Sequence, residues 1–202
     1  MLGQSARSKA FQATKPGFCS AGVIVVIGAS AGGLAPLREI IAFLPVPCSA
    51  SIFVVSHIGD QKSLLPELLS GVHPATFAQS GEAIESGRIY VAPPDHHMVL
   101  APGFVQLNHE QRVHHTRPAI DPLFISAAEA YGSRVIGIVL SGGNGDGAAG
   151  LQAIKHCGGL TFVQSPEEAK IDEMPRSAIA ADRLTCVLPV AEIAQRLNRL
   201  CG

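Results

Sequence analysis

A chain of 202 residues is long enough for one domain with a substantial core, and at 47% hydrophobic and 15% charged residues it is not an intrinsically disordered protein. A formal net charge of -1, 5% aromatic residues and no Trp leave neither an electrostatic nor a base-stacking footprint for nucleic acid. No apolar run approaches the length of a membrane span, so direct membrane insertion is not expected.

Residues 1–22, MLGQSARSKAFQATKPGFCSAG, are polar with a few basic side chains and lack the apolar stretch of a secretory signal. They read as a tail or linker ahead of one domain spanning residues 23–202. Val23 to Ile27 is a β-branched run ending in Gly28, the pattern of a buried parallel strand. Leu37, Ile40, Ile41 and Leu44 then recur at helical spacing over 34–44 and stop at Pro45. Ser51 to Val55 is a second buried strand, and Lys62 to Leu69 a helix weakened by Pro66. The middle of the chain changes character. Gly87–Ala92, Met98–Ala101 and Phe104–Leu107 are short apolar stretches split by Pro-Pro-Asp and Pro102-Gly103, which predicts a small hairpin. A helix over Leu123–Ala128 and a strand over Val135–Leu140 follow, then a Gly-rich turn and a helix over Ala148–His156. Leu160–Val163 and Thr185–Leu188 read as strands and Ala191–Leu200 as a closing helix. Alternating strands and helices predict an α/β fold: three layers, α/β/α, with a mainly parallel sheet and a small antiparallel hairpin insertion.

The five cysteines, Cys19, Cys48, Cys157, Cys186 and Cys201, are odd in number and form no C-x-x-C pair, so neither a disulfide framework nor a zinc ribbon is indicated. A reducing, cytoplasmic setting fits. Chemistry gathers instead at three strand-to-helix junctions: Gly28-Ala29-Ser30-Ala31-Gly32-Gly33, Ser56-His57, and Ser141-Gly142-Gly143-Asn144-Gly145-Asp146-Gly147. Ligands of open α/β sheets bind beyond the carboxyl ends of the strands, so these junctions are expected on one rim. Ser30, His57 and Asp146 are the residue types of a nucleophile, its base and the acid that orients the base. Residues 28–32 match G-x-S-x-G between a strand and a helix, and the N–H groups after Ser30, Ala31 foremost, could stabilise an oxyanion. The order Ser, His, Asp differs from the Ser, Asp, His of α/β-hydrolases and points to another scaffold.

Other readings compete for the same residues. The first junction could be a nucleotide-binding turn, although G-x-S-x-G-G is not G-x-G-x-x-G and no acidic ribose ligand or Walker Lys accompanies it. Asp146 alone would be a helix cap before Ala148, and Asp121 a capping-region acid. His96-His97 and His114-His115 are adjacent pairs without local carboxylate or Cys partners. They read as polar loop residues rather than metal ligands. Glu167, Glu168 and Lys170 read as a solvated loop or short helix. Pro175-Arg176-Ser177 could open another helix, placing Arg176 near the rim or simply in solvent.

Six ordered segments resemble the CheB-type methylesterases: IGASAGG (27–33), VVSH (54–57), GEAIESGRIYVAPPDHHM (81–98), RPAIDPLFISAA (117–128), VLSGGNGDGAAG (139–150) and MPRSAI (174–179). The resemblance implies a parallel α/β/α domain in which Ser30, His57 and Asp146 form the triad. It implies hydrolysis of glutamate methyl esters on the cytoplasmic helices of chemoreceptors, releasing methanol, with deamidation of glutamines in some members. No metal or organic cofactor is implied. Members typically carry an N-terminal receiver domain, for which residues 1–22 are too short, so control by a separate regulatory protein is an expectation. Gly143 stands where the family places a methionine beside the oxyanion site, which is expected to widen the pocket. Ile58-Gly59 stand where Met-Pro is usual. A catalytically weak interaction module of a chemosensory complex and an esterase for small molecules are the alternatives.

Overall fold

The computed structural model describes residues 22–57, 63–181 and 185–202. Residues 1–21 of the expected tail, the start of the predicted helix at Lys62, and Ile58-Gly59 fall outside those residues. Seven strands form one parallel sheet: β1 (Ile24–Ala29), β2 (Ser51–Ser56), β3 (Ala75–Phe77), β4 (Ile89–Val91), β7 (Val135–Val139), β8 (Leu160–Gln164) and β9 (Cys186–Leu188). Their order is β3-β4-β2-β1-β7-β8-β9, and β5 (His97–Ala101) pairs antiparallel with β6 (Phe104–Asn108) in a separate hairpin. The order reverses direction at β1, which puts the ends of β1, β2 and β7 at the switch point where open sheets bind ligands.

The β1 sequence IVVIGA is buried at every position because both faces of the sheet are covered. Side-chain alternation divides the core. Val25 and Ile27 pack with Leu37 and Ile40 of α1 (Leu34–Ala42), Leu65 and Leu69 of α2 (Leu65–Leu69), and Ile193 and Leu197 of α6 (Val190–Cys201). Ile24 and Val26 pack on the other face with α3 (Ile120–Tyr131), α4 (Ala148–His156), α5 (Glu173–Ala181) and the hairpin. The α/β/α layering and the hairpin are as expected.

Several boundaries differ. Residues 89–91, grouped with the short strands of the middle segment, join the main sheet parallel to β2. Strand β3 was not anticipated, since three residues are too few to show a period. Helix α2 starts at Leu65, which places Pro66 in the first turn, where its missing N–H costs nothing. Helix α3 runs from Ile120 to Tyr131, longer than the six residues expected. Pro175 lies inside the first turn of α5, so the motif at 174–179 is helical.

Phe53 is fully buried and stacks on Tyr90 with ring centroids 4.9 Å apart. Phe53→Ala is expected to lower stability by about 3–5 kcal/mol, seen as a lower urea midpoint with an unchanged slope.

Candidate functional site

Register brings the first two junctions together. Ala29 lies opposite Ser56 on the neighbouring parallel strand, so Ser30 and His57 leave adjacent strands side by side. The His57 N–H donates to the Ala29 carbonyl at 3.1 Å, and the Ser30 N–H donates to the Ser141 carbonyl, beyond β7, at 3.0 Å. The serine turn is therefore held between the ends of β2 and β7. Gly32 has φ +82, and a Cβ there would stand 2.6 Å from the Lys170 Cβ, so both conformation and space require glycine. A Cβ at Gly142 would stand 2.7 Å from the Ser30 Cβ and 2.1 Å from the Met174 Sδ. The segment after β7 thus passes directly against Ser30.

Ser141 organises this crossing. Its hydroxyl donates to the Ala31 carbonyl at 2.9 Å and accepts the Ile171 N–H at 2.9 Å, while its own N–H donates to Gln164 Oε1 at 2.8 Å. Ser141 is fully buried, and these bonds satisfy groups that burial would otherwise make costly.

The carboxylate of Asp146 is fully buried and faces three donors. Its Oδ2 accepts from His57 Nε2 at 2.8 Å and from the Ile120 N–H at 2.7 Å, and its Oδ1 accepts from the Asp121 N–H at 2.9 Å. Asp146 does cap a helix, but the helix is α3 and not α4, which follows it in sequence. Asp121 returns the arrangement: its Oδ1 accepts the Gly150 N–H of α4 at 2.7 Å. Each helix start is thus closed by an acid from the other segment, and unpaired N–H groups at a helix start favour a carboxylate. Burial pushes the Asp121 carboxyl above its usual range. The Gly150 N–H opposes that shift, and the nearby Asp146 charge adds to it.

Because Asp146 can only accept, the His57 proton on this side belongs to Nε2, and Nδ1 carries the lone pair. Thr116 Oγ1 lies 3.4 Å from the same Nε2 and donates to the Val113 carbonyl at 2.9 Å. Val113 and Thr116 close a two-residue turn whose central residues, His114 (φ 49) and His115 (φ 63), are both left-handed. That conformation costs non-glycine residues on the order of 1 kcal/mol each. Sequence reasoning placed His114 and His115 in a loop without seeing this turn or Thr116. It also placed His97 in a loop, and this is corrected. His97 opens β5, is buried, and bonds the Gln111 carbonyl at 3.1 Å and the Ala119 N–H at 3.2 Å. Burial holds its imidazole below the usual value.

His114, Asp121 and Asp146 are the one group of potential metal ligands, among the described residues, whose ligand atoms all lie within 4.8 Å. Both Asp146 oxygens there already accept N–H donors. Ala31 follows Ser30 in the turn, and Gly143 follows Gly142, the residue of the second segment that lies against Ser30. Glu173, which sequence reasoning passed over, accepts the Asn144 N–H at 3.1 Å through Oε2.

The model of the CheB methylesterase family matches residues 25–197. The chain belongs to the CheB methylesterase family. A Leptospira interrogans (strain Fiocruz L1-130) relative is 40% identical over 181 residues, which cover 87% of this chain and 93% of that protein. The protein-glutamate methylesterase/protein-glutamine glutaminase 2 of Anaeromyxobacter dehalogenans is 38% identical over 183 residues. The match covers 88% of this chain and 53% of the Anaeromyxobacter protein, so the chain spans about half of that relative's length. The crystal structure of the Thermotoga maritima CheB methylesterase catalytic domain superposes with a TM-score of 0.83 at 33% identity, covering 89% of this chain and 99% of that one. The nucleotide-binding alternative for the Ser30 turn is thereby set aside. The CheB methylesterase fold accounts for the Ser, His, Asp order, because the three junctions follow the ends of β1, β2 and β7 in chain order.

Proposed function

We propose that this chain is a protein-glutamate methylesterase in which Ser30 is the nucleophile, His57 the base and Asp146 the orienting acid. The observation that carries the reading is the 2.8 Å bond from His57 Nε2 to a buried Asp146, with Ser30 leaving the strand next to His57. In the first half-reaction, Ser30 Oγ bonds to the ester carbonyl carbon and its proton passes to His57 Nδ1. The carbonyl oxygen takes the negative charge and is met by the N–H groups of Ala31 and Gly143. Collapse breaks the bond to the methoxy oxygen, which leaves with the proton from His57 as methanol. In the second half-reaction, water attacks the acyl-serine through the same base and frees a glutamate carboxylate. A glutamine amide would follow the same route with ammonia as leaving group. No step needs a metal or an organic cofactor.

Ala31 and Gly32 are exposed and Ser30 is half-buried, while the His57 side chain is only 7% exposed. An open rim of this kind suits an ester carried on a protein side chain. The substrate proposed is a methylated chemoreceptor cytoplasmic region, with a separate regulatory protein as a possible partner. No helix among the described residues is long and apolar enough to cross a membrane. The test is methanol release from a chemoreceptor cytoplasmic fragment carrying labelled methyl groups. Wild-type protein is expected to release labelled methanol. A folded sample that releases neither methanol from the methylated fragment nor ammonia from its glutamine form would overturn the reading.

Gly142→Ala is expected to cut turnover of an activated ester about 100-fold while circular dichroism is unchanged. The added Cβ meets the Ser30 Cβ, and displacement of a reacting group by about 1 Å costs that much.

A further inference from the structure

A carboxylate stands beside the Gly143-Asn144 loop, next to the segment that passes against Ser30. Gly143 offers no side chain, and the nearest group to the place where one would stand is Glu173 Oε2, at 3.4 Å. The same oxygen accepts the Asn144 N–H at 3.1 Å, which holds the solvent-exposed carboxylate against the Gly143-Asn144 loop. The backbone of this segment is tied to the site: the Met174 N–H donates to the Gly142 carbonyl at 2.9 Å, and Gly142 lies against Ser30. The space expected to widen through the loss of a side chain at 143 is therefore bordered by a negative charge.

Arg176, three residues on, is engaged elsewhere. Arg176 Nε donates to Asp172 Oδ2 at 2.6 Å, so these two neutralise each other. Lys170 packs its aliphatic stem over Gly32, on the other flank of Ser30. The His114 ring stands 4.0 Å from the place of a Cβ at Gly145, with its Nε2 3.3 Å from Asp121 Oδ2.

We propose that Glu173 is a specificity-determining residue, which disfavours a carboxylate beside the reacting ester and favours neutral or cationic neighbours. The inference rests on the reading of Ser30 as nucleophile. Like charges brought together at a partly exposed site repel, and the repulsion falls with ionic strength. The preferred substrate is then an esterified or amidated side chain whose flanking groups are uncharged or basic. The product carboxylate, formed at the same place, is repelled rather than held.

The test compares p-nitrophenyl acetate, which is neutral, with mono-p-nitrophenyl glutarate, which carries a carboxylate, in wild type and Glu173→Gln. The glutamine keeps an oxygen for the Asn144 N–H, so the loop stays tethered without the charge. We expect the ratio of kcat/KM for the anionic ester to kcat/KM for the neutral ester to rise about tenfold in the variant. In wild type, the preference for the neutral ester is expected to shrink at about 1 M NaCl, a readout that needs no variant. Ser30-dependent turnover in which both esters change by one factor, or neither changes, and wild-type preference ignores salt, would overturn the proposal alone. A folded wild type that hydrolyses neither ester, or whose turnover survives Ser30→Ala, would overturn the underlying reading together with it.

Discussion

Ser30→Ala is expected to reduce ester hydrolysis by on the order of 10^6 without changing the unfolding temperature. The two halves of this expectation have separate physical grounds. The serine turn is held by backbone bonds, from the Ser30 N–H to Ser141 and from the Gly33 N–H to the Ser30 carbonyl at 2.9 Å, and alanine keeps both. The hydroxyl is the atom that forms the covalent bond in the proposed route, and water placed in its stead lacks the positioning that makes the attack unimolecular. Methanol release and thermal unfolding measured on the same two samples check both halves. Turnover retained in pure Ser30→Ala protein would remove Ser30 from the mechanism. Turnover lost together with a large fall in melting temperature would show that the turn itself had failed.

Asp146→Asn is expected to cost about four orders of magnitude in kcat and, separately, about 1–3 kcal/mol of stability. The carboxylate has two accepting oxygens, and they face three donors: His57 Nε2, the Ile120 N–H and the Asp121 N–H. An amide has one accepting oxygen and one donating nitrogen. If its oxygen stays with His57 and Ile120, its nitrogen confronts the Asp121 N–H. If it turns over, its nitrogen confronts the Ile120 N–H and forces His57 to accept at Nε2. That second tautomer puts a proton on Nδ1, the nitrogen proposed to take the Ser30 proton, and the base is lost. In both orientations a buried N–H at the start of α3 loses its partner, which is the source of the stability cost. Urea denaturation and steady-state kinetics on the variant check the two figures, and wild-type rates would remove Asp146 from the proposed triad.

Much of this was legible in the chain. The run Val23 to Ile27 and the IGIVL stretch within Val135–Leu140 are unbroken apolar runs, the mark of strands buried on both faces, and the helical spacing of Leu37, Ile40 and Ile41 carries a period that specifies a buried face. The three junctions were visible because Gly, Ser, His and Asp interrupt those apolar runs at the points where an open sheet binds ligands. Residues without a period were missed. Strand β3 is too short to show one. Thr116 reaches His57 through a turn of two left-handed histidines, where Asn-Gly would have been the recognisable signal. Glu173 looks like an ordinary first-turn acid until Gly143 is seen beside it.

The sequence by itself determined the layering, the parallel sheet and the residue types at its rim, because burial of apolar faces is a local pattern repeated along the chain. Only the tertiary structure decided which helix Asp146 caps, which nitrogen of His57 is free, and which charge borders the site. Those depend on pairs such as Asp146 with Ile120, Asp121 with Gly150, and Asn144 with Glu173. Members of each pair stand 26 to 29 positions apart and meet only when the helices pack side by side on one face of the sheet. Hydrogen bonds are directional and short-ranged, so their partners are set by that packing rather than by any spacing in the chain.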